Sequence, residues 1–588
     1  MSASTQVRVG VDGPAALGSA GSGSPGKEGP ARTAARHTGR MSASRPGPAG
    51  SPGVVLAVLA SSQFLMTLDS SVMNVSMSQV AEDLGTPITG IQTAITLYTL
   101  VMASPMITGG KVGSVLGRRR AFAIGLVVYG CGSLVTALAP TLTVLLLGWS
   151  LLEGLGAALI MPAIVALVAG NFPPERRAGA YGLVAAAGAM AVAAGPLIGG
   201  AVTTFASWRY VFAGEVVLVV VILLFMRRIA DVPRSAVPLD LVGSALSVIA
   251  LATIVFGVLR SSEWGWVSAR PGGPQVLGAS PVIFLIAGGL VTLYLFALWE
   301  RRLADAGREP LLPPDLLRTL QLRVGLVMFF AQFLVQAGVF FALPLFLTIV
   351  LELSALETGL RVFPLSVALL LTAAGIPKVL PDASPRRVVR IGLVALAVGT
   401  GILVAGMNPG ADAGVVAVPM LLIGAGLGAL ASQLGAVTVS AVPDERSPDV
   451  GGLQNTATSL GASLGTALIG SILIASLSAS AIAGLQDSPE VSDRISEQAT
   501  VQLASGVPFV SDPQLEARLD ELGITGAEAD AIVEVNDAAR FDGLRAAFAA
   551  AGLIALCALF FTGPLPVTAI GRRREESVTP GGSGVSGG

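Results

Sequence analysis

Charge is scarce in this chain: Asp, Glu, Lys and Arg make up 12% of 588 residues, where soluble proteins carry about 25%. Histidine is nearly absent, and the one copy, His37, sits among Gly, Ser, Pro and Ala near the start. Imidazole chemistry is therefore excluded from the apolar body, and any proton handled there must sit on a carboxylate. There are two cysteines, Cys131 and Cys557, each inside an apolar run. Neither a disulfide framework nor a zinc ribbon can be built from them, and they read as core thiols. No P-loop occurs, and most connections are too short to hold a nucleotide-binding domain. Most classes of soluble enzyme fall away on these grounds.

What is present is hydrophobic length. Hydrophobic residues make up 53% of the chain and mean hydropathy is +0.76. About fourteen apolar stretches lie near the ~20 residues that a helix needs to cross a bilayer. They are drawn at 54–76, 89–109, 121–139, 142–168, 180–203, 210–226, 240–260, 280–299, 324–348, 358–378, 390–407, 414–438, 452–477 and 543–563. Lipid supplies no hydrogen bonds, so uniformly apolar runs of this length must be helices. The expected class is an all-α integral membrane protein. Of 36 Lys and Arg, about 22 fall on connections facing one side and 6 on the N-terminal tail. The positive-inside rule makes that side, with both termini, the cytoplasm.

Residues 1–52 are too polar and Gly/Pro-rich to bury a core and read as a disordered tail rather than a signal peptide, with Met41 an alternative start. Two connections are long. One spans 261–279 with Trp264 and Trp266, whose indoles suit an outer interface. The other, 478–541, carries 12 acidic and 3 basic residues, with Leu515, Leu519 and Leu522 at helical spacing. A solvated outer hairpin or helix pair is one reading of it, and a partner-binding or gating cap the other.

Four segments carry more than hydropathy. The 110–120 connection reads GKVGSVLGRRR, with Gly110, Gly117, Arg118 and Arg119 around a tight turn and Ser114 within it. The fourth run contains Ser150, Glu153, Gly154, Gly156 and Pro162; on a regular helix Ser150 and Glu153 share one face. The fifth contains Gly195-Pro196-x-x-Gly199-Gly200, small residues that let helices touch backbone to backbone. The first contains Leu68-Asp69 and Asn74-Val75. A carboxyl at that depth is costly when charged, which makes Asp69 and Glu153 functional candidates, against the plainer reading of each as a hydrogen-bonder between packed helices.

Together these segments resemble the major facilitator superfamily, and within it the fourteen-helix drug/proton antiporters. The likeness runs from 54 to about 563, including Trp208-Arg209-Tyr210, Asp240, Gly243, Gly359, Pro364 and GGLQNTATSLGASLGTA from Gly451 to Ala467. Ser114 stands where that family usually has Asp, Ser150 where it has Arg, Glu153 where it has Gln, and Glu215 where it has Asn. Ser114 can still cap a helix, and Glu215, near the outer end of the sixth run, is expected to be solvated. The resemblance implies a major facilitator fold: a cytoplasmic tail (1–52), a six-helix bundle (53–230), two inserted helices (231–300), a second six-helix bundle (301–565) including the acidic outer segment, and a tail (566–588). It implies a proton-coupled exporter of amphiphilic, often cationic, small molecules. Asp69, Glu153, Ser150 and Asn74 then serve coupling or the substrate cavity, and Met66, Met73 and Met77 adaptable binding. The glycine, proline and arginine motifs serve conformational change.

An uncoupled facilitator, a lipid or natural-product exporter with altered coupling, and a membrane sensor or docking protein remain alternatives. No cofactor, metal, nucleic acid or enzymatic activity is expected; the partners are a small molecule, protons and the bilayer. The expected place is the plasma membrane of a bacterium. The oligomeric state is open, with a monomer the simplest expectation.

Overall fold

A computed structural model describes residues 51–231, 240–270, 273–308, 310–312, 315–408, 413–442, 447–492, 495 and 511–568. The tail reading, the basic residues Arg572, Arg573 and Arg574, and most of 493–510 lie outside these. Among the described residues twelve helices are long and apolar enough to cross a membrane. Two further pairs, bent by 49° after Ala103 and by 42° near Val192, bring the count to fourteen when each pair is one span.

The first eight spans are Pro52–Asp83, Ile88–Leu116 in two segments, Arg118–Ala137, Leu142–Asn171, Pro174–Phe205, Arg209–Phe225, Leu241–Trp264 and Pro281–Asp305. Leu320–Val350, Ala355–Val379, Pro385–Gly406, Ala417–Val439, Ser447–Asp487 and Ala527–Phe560 follow. Prolines open several of them at positions whose N–H has no helical partner in any case, as Pro52, Pro281 and Pro385 do.

The same packing occurs twice. The first span lies along the fifth as the ninth lies along the thirteenth, and the third lies on the fourth as the eleventh lies on the twelfth. Glycine makes both of the latter contacts. A Cβ on Gly132 would sit 2.7 Å from the Gly148 carbonyl oxygen, and one on Gly392 2.8 Å from that of Gly426. Only a hydrogen at these positions allows the backbones so close, and in lipid such close van der Waals contact is a main source of helix association. The seventh and eighth spans pair with each other, and the seventh rests on the thirteenth, where Val258 and Leu259 meet Ala467.

Spans one to six meet spans nine to fourteen at the end opposite Pro52, here called the loop face. Ser78 and Thr348 share a hydroxyl hydrogen bond of 2.6 Å, and the Leu356 N–H donates to Thr204 at 3.0 Å. Gly200 abuts the Ala355 carbonyl and Gly359 the Pro196 carbonyl, each leaving no room for a methyl group. The second and thirteenth spans also cross, with Ser463 donating to the Thr96 carbonyl at 3.0 Å.

Four expectations are corrected. The described part of the acidic outer segment takes the helix-pair form, but continuous with the spans and not separate from them: the thirteenth span runs 41 residues and the fourteenth 34, about 60 and 50 Å at 1.5 Å per residue, so both continue well past a ~30 Å hydrocarbon layer. They stay paired there, with Gly484 against Val535 and Ser480 donating to Asp542 at 2.7 Å. Cys131 and Cys557 are exposed on the apolar exterior and are not core thiols. Trp264 ends the seventh helix instead of lying in the loop. Of the three leucines, Leu519 is buried in a short helix, Asp512–Glu521, while Leu522 follows its end and is exposed.

The loop-face contacts make a testable closure. In a variant lacking Cys131 and Cys557, cysteines at Ser78 and Thr348 are expected to cross-link readily. Adding Gly359→Val, whose side chain must displace the Pro196 backbone, should cut the cross-linking yield sharply; an unchanged yield would show that this contact does not hold the face shut.

Candidate functional site

A cavity of about 520 Å³ lies between the two halves, within the usual range for small-molecule pockets. Its wall comes from the first, second, fourth and fifth spans on one side and the ninth, tenth, twelfth and thirteenth on the other. Met66, Met102 and Met161 line it, as do Phe329, Phe333, Phe340, Tyr181 and a set of amides, Gln63, Asn74, Gln332, Gln336, Gln454 and Asn455. Among the described residues that line it, none carries a charge. The Gly451–Ala467 segment supplies one face through Gln454, Asn455, Thr458, Ser459, Ala462 and Thr466, while Gly461 and Gly465 press against the ninth span.

The acids lie behind this wall. Asp69 from the first span, Glu153 from the fourth and Glu215 from the sixth converge, with one oxygen of each within 4.8 Å of the others, and all three are buried. Trp149 Nε1 donates to both Asp69 oxygens, at 2.8 and 2.9 Å. Glu153 accepts from the Thr136 hydroxyl at 3.2 Å, and Glu215 accepts from the Ser133 hydroxyl at 3.1 Å. One oxygen of Glu153, one of Glu215 and the hydroxyls of Tyr98 and Tyr129 have no hydrogen bond of good geometry. Both tyrosines nonetheless stand beside Asp69, and among the described residues no basic side chain acts on the three acids. Two like charges 4.8 Å apart repel by about 3.5 kcal/mol at an effective dielectric of 20. A charge on any one of these carboxyls is therefore opposed by a charge on either neighbour.

The local backbone explains the placement. Leu146–Glu153 is wound as a π-helix, a turn with i→i+5 bonding that recurs at functional sites. It undoes the expectation that Ser150 and Glu153 share a face. Ser150 instead donates to the Ala94 carbonyl of the second span at 2.8 Å, and Glu153 turns to the third span, where Gly132 leaves space for its Cγ. Ser150 thus ties the fourth span to the second and is not among the described residues that line the cavity. Met73 and Met77 are core residues, so of the three methionines singled out only Met66 reaches the cavity.

The motif residues take positions of their own. Gly195 and Gly199 press against Ser71 and Val72 of the first span. Ser114 does not cap a helix; its hydroxyl donates to the Lys111 carbonyl at 2.6 Å. Gly117 makes the turn at φ 101°, Arg118 donates to the Gly110 carbonyl, and Arg119 ties the turn to Ile229 and Asp231 after the sixth span. At the loop face Trp208 and Arg209 both donate to Asp83, which pins the sixth span to the first.

Sequence reasoning missed Trp149, Tyr98, Tyr129 and Gln332, and it misplaced Glu215. Glu215 is 2% exposed, not solvated. The signal for it was present: it lies six residues inside a helix that starts at Arg209, with apolar residues on both sides.

Two helical halves, a cavity between them and acids buried beside it define a multi-pass membrane transporter. A family model of the Major Facilitator Superfamily matches residues 59–466, and the chain belongs to that family. Its relatives place it with the drug-efflux type. It is 31% identical to a puromycin resistance protein of Streptomyces alboniger, over 71% of this chain and 81% of that one. It is 26% identical to a tetracenomycin C resistance and export protein of Streptomyces glaucescens, over 87% and 90%. Among solved structures, a peptide transporter bound to sulfate matches with a TM-score of 0.53 at 15% identity, covering 87% of this chain and 96% of that one. A bacterial homologue of the lysosomal transporter Spinster gives 0.51 at 15%, over 87% and 96%.

The glycine contact behind Glu153 gives a prediction. In Gly132→Ala the new methyl lies 2.6 Å from Glu153 Cγ and 2.7 Å from the Gly148 oxygen, an overpacking expected to cost roughly 1–3 kcal/mol. Thermal unfolding in detergent should show a clear fall in the midpoint, whereas Gly288→Ala, in open space, should show little.

Proposed function

We propose that the protein exports uncharged or weakly polar aromatic small molecules across a bacterial plasma membrane in exchange for protons held by Asp69, Glu153 and Glu215. The observation that carries this reading is the separation of an uncharged, amide- and aromatic-lined cavity from a buried acid cluster. Methionine and aromatic walls adapt to varied shapes, and the amides offer both donors and acceptors. Curated relatives are named for puromycin, tetracenomycin C and cephamycin export or resistance. The proposal departs from the expectation of a cationic preference, because the carboxyls that would attract a cation do not line the cavity.

The proposal also takes residues 53–230 and 301–565 as two bundles that rock about the cavity, with 231–300 inserted, both termini cytoplasmic and the monomer as the working unit. On that orientation the closed loop face is the outside, and the cavity belongs to an inward-open state.

Reconstituted vesicles test the coupling. Tetracenomycin C, a neutral polycycle, is expected to move against its gradient when a pH gradient is imposed, more readily than ethidium, a cation. Asp69→Asn should reduce this to the rate of empty vesicles with folding intact; wild-type rates in that variant would remove Asp69 from the mechanism. Glu153→Gln should alter the pH profile of transport between pH ~5 and ~9, the range over which buried carboxylates titrate, without changing the preference between the two probes. An unchanged profile would make Glu153 structural.

Orientation has its own test. Single cysteines at Ser488 and Ser577 are expected to react with an impermeant reagent in intact cells at the first site alone. Labelling only at the second inverts the topology.

A further inference from the structure

We propose that Trp149 is the positioning residue that links the proton site to the substrate site, as a partition with one side in the cavity wall and its indole N–H on Asp69. The inference rests on the proton-exchange reading above. It stands on three contacts that meet in one side chain. The indole stacks on Tyr98 with ring centroids 4.9 Å apart and planes within 4°. Both rings line the cavity, yet both are 1% exposed, so they form a closed wall. The indole nitrogen bridges the two Asp69 oxygens at 2.8 and 2.9 Å.

The bridge depends on the charge of Asp69. A carboxylate offers two equivalent acceptors to one N–H, whereas a protonated carboxyl turns one oxygen into a donor and loses the charge-assisted part of the bond. The acid cluster surrounds the same carboxyl: Glu153 from the fourth span, Glu215 from the sixth, Tyr98 from the second and Tyr129 from the third. From the fifth span, the contacts facing this part of the first are Gly195 and Gly199. A proton arriving anywhere in the cluster therefore redistributes charge at the point where Trp149 is anchored.

The backbone under Trp149 is suited to respond. The π-helical turn that carries it also carries Ser150, bonded to Ala94 one turn before Tyr98, and Glu153 in the acid cluster. One turn thus holds the partition, its stacking partner's helix and one of the acids. An aromatic ligand in the cavity meets the same two rings from the other side, so ligand and proton act on one element without touching each other.

Trp149→Phe keeps a ring to stack on Tyr98 while removing the N–H donor and part of the ring volume. The experiment measures the equilibrium Kd of the purified full chain for tetracenomycin C across pH ~5 to ~9, together with proton-driven uptake of the same probe in vesicles. In wild type the Kd is expected to change with pH. In Trp149→Phe, whatever affinity the smaller ring loses, the Kd should become independent of pH, and gradient-driven uptake should be lost. A pH dependence that persists in Trp149→Phe, whatever the absolute Kd, overturns the inference and makes Trp149 only a wall.

Should Trp149→Phe not fold, ¹⁹F spectra of the wild-type chain labelled with fluorotryptophan give the same answer. The Trp149 resonance, assigned after replacing each of the other four tryptophans, should shift with both pH and probe, and in Asp69→Asn with probe alone. A resonance blind to pH in wild type overturns the inference. Failure of the underlying reading looks different: wild type and Asp69→Asn would then show the same uptake with or without a gradient.

Discussion

A carboxyl group held away from water needs a cation, a proton or a set of donors, because an uncompensated charge at that depth costs several kcal/mol. Three such groups share one place here, and the groups acting on them are hydroxyls, one indole and each other. Much of the first half follows from that constraint. Thr136 and Ser133 on the third span, Trp149 on the fourth and the two tyrosines are there because oxygen atoms of Asp69, Glu153 and Glu215 must be met. A cation would hold one fixed charge state; on the proposed reading, a cluster of acids instead lets the number of bound protons change.

The second constraint is the absence of side chains where helices cross. Gly132 against Gly148 and Gly125 against Gly156 bring the third and fourth spans to backbone contact, which places Glu153 within reach of Thr136. Gly195 and Gly199 do the same for the first and fifth spans, setting the depth of Asp69. At the loop face Gly200 and Gly359 complete the closure between the halves. Rigid halves with a separable contact are what a rocking motion about a central cavity requires.

The fold was largely legible. Hydropathy alone located the spans, because lipid leaves the backbone no alternative to the helix, and alternating basic connections gave a self-consistent orientation. Their ends were less so. The thirteenth and fourteenth spans continue past the bilayer on contacts such as Ala481 and Leu485, which look like loop composition when hydropathy is averaged. The candidate site was legible only as single residues. Asp69 and Glu153 stand out as acids in apolar runs, but nothing in the spacing shows that Leu146–Glu153 widens to a π-helix, and that widening decides which neighbour each side chain faces. Glu215 was misread because depth was judged from the end of the run and not from the helix that begins at Arg209. Trp149 and Tyr98 were invisible for a simpler reason: an aromatic in a membrane helix is ordinary until its partner across the helix gap is known.

On the proposed reading, separating acids from cavity changes what proton exchange must mean. Where a substrate and a proton compete for one carboxylate, charge does the coupling directly, and a neutral substrate would leave the proton unmoved. Here the described lining is uncharged, so an element that both contact is a direct route by which the two can influence each other. Linkage makes that influence reciprocal: whatever factor a proton applies to ligand affinity, the ligand applies to proton affinity. Typical couplings of 1–3 kcal/mol are comparable to the net strength of one charge-assisted hydrogen bond, about 1.5–3 kcal/mol. A single indole N–H on a single carboxylate is therefore sufficient in magnitude, and no ion pair between substrate and protein is needed.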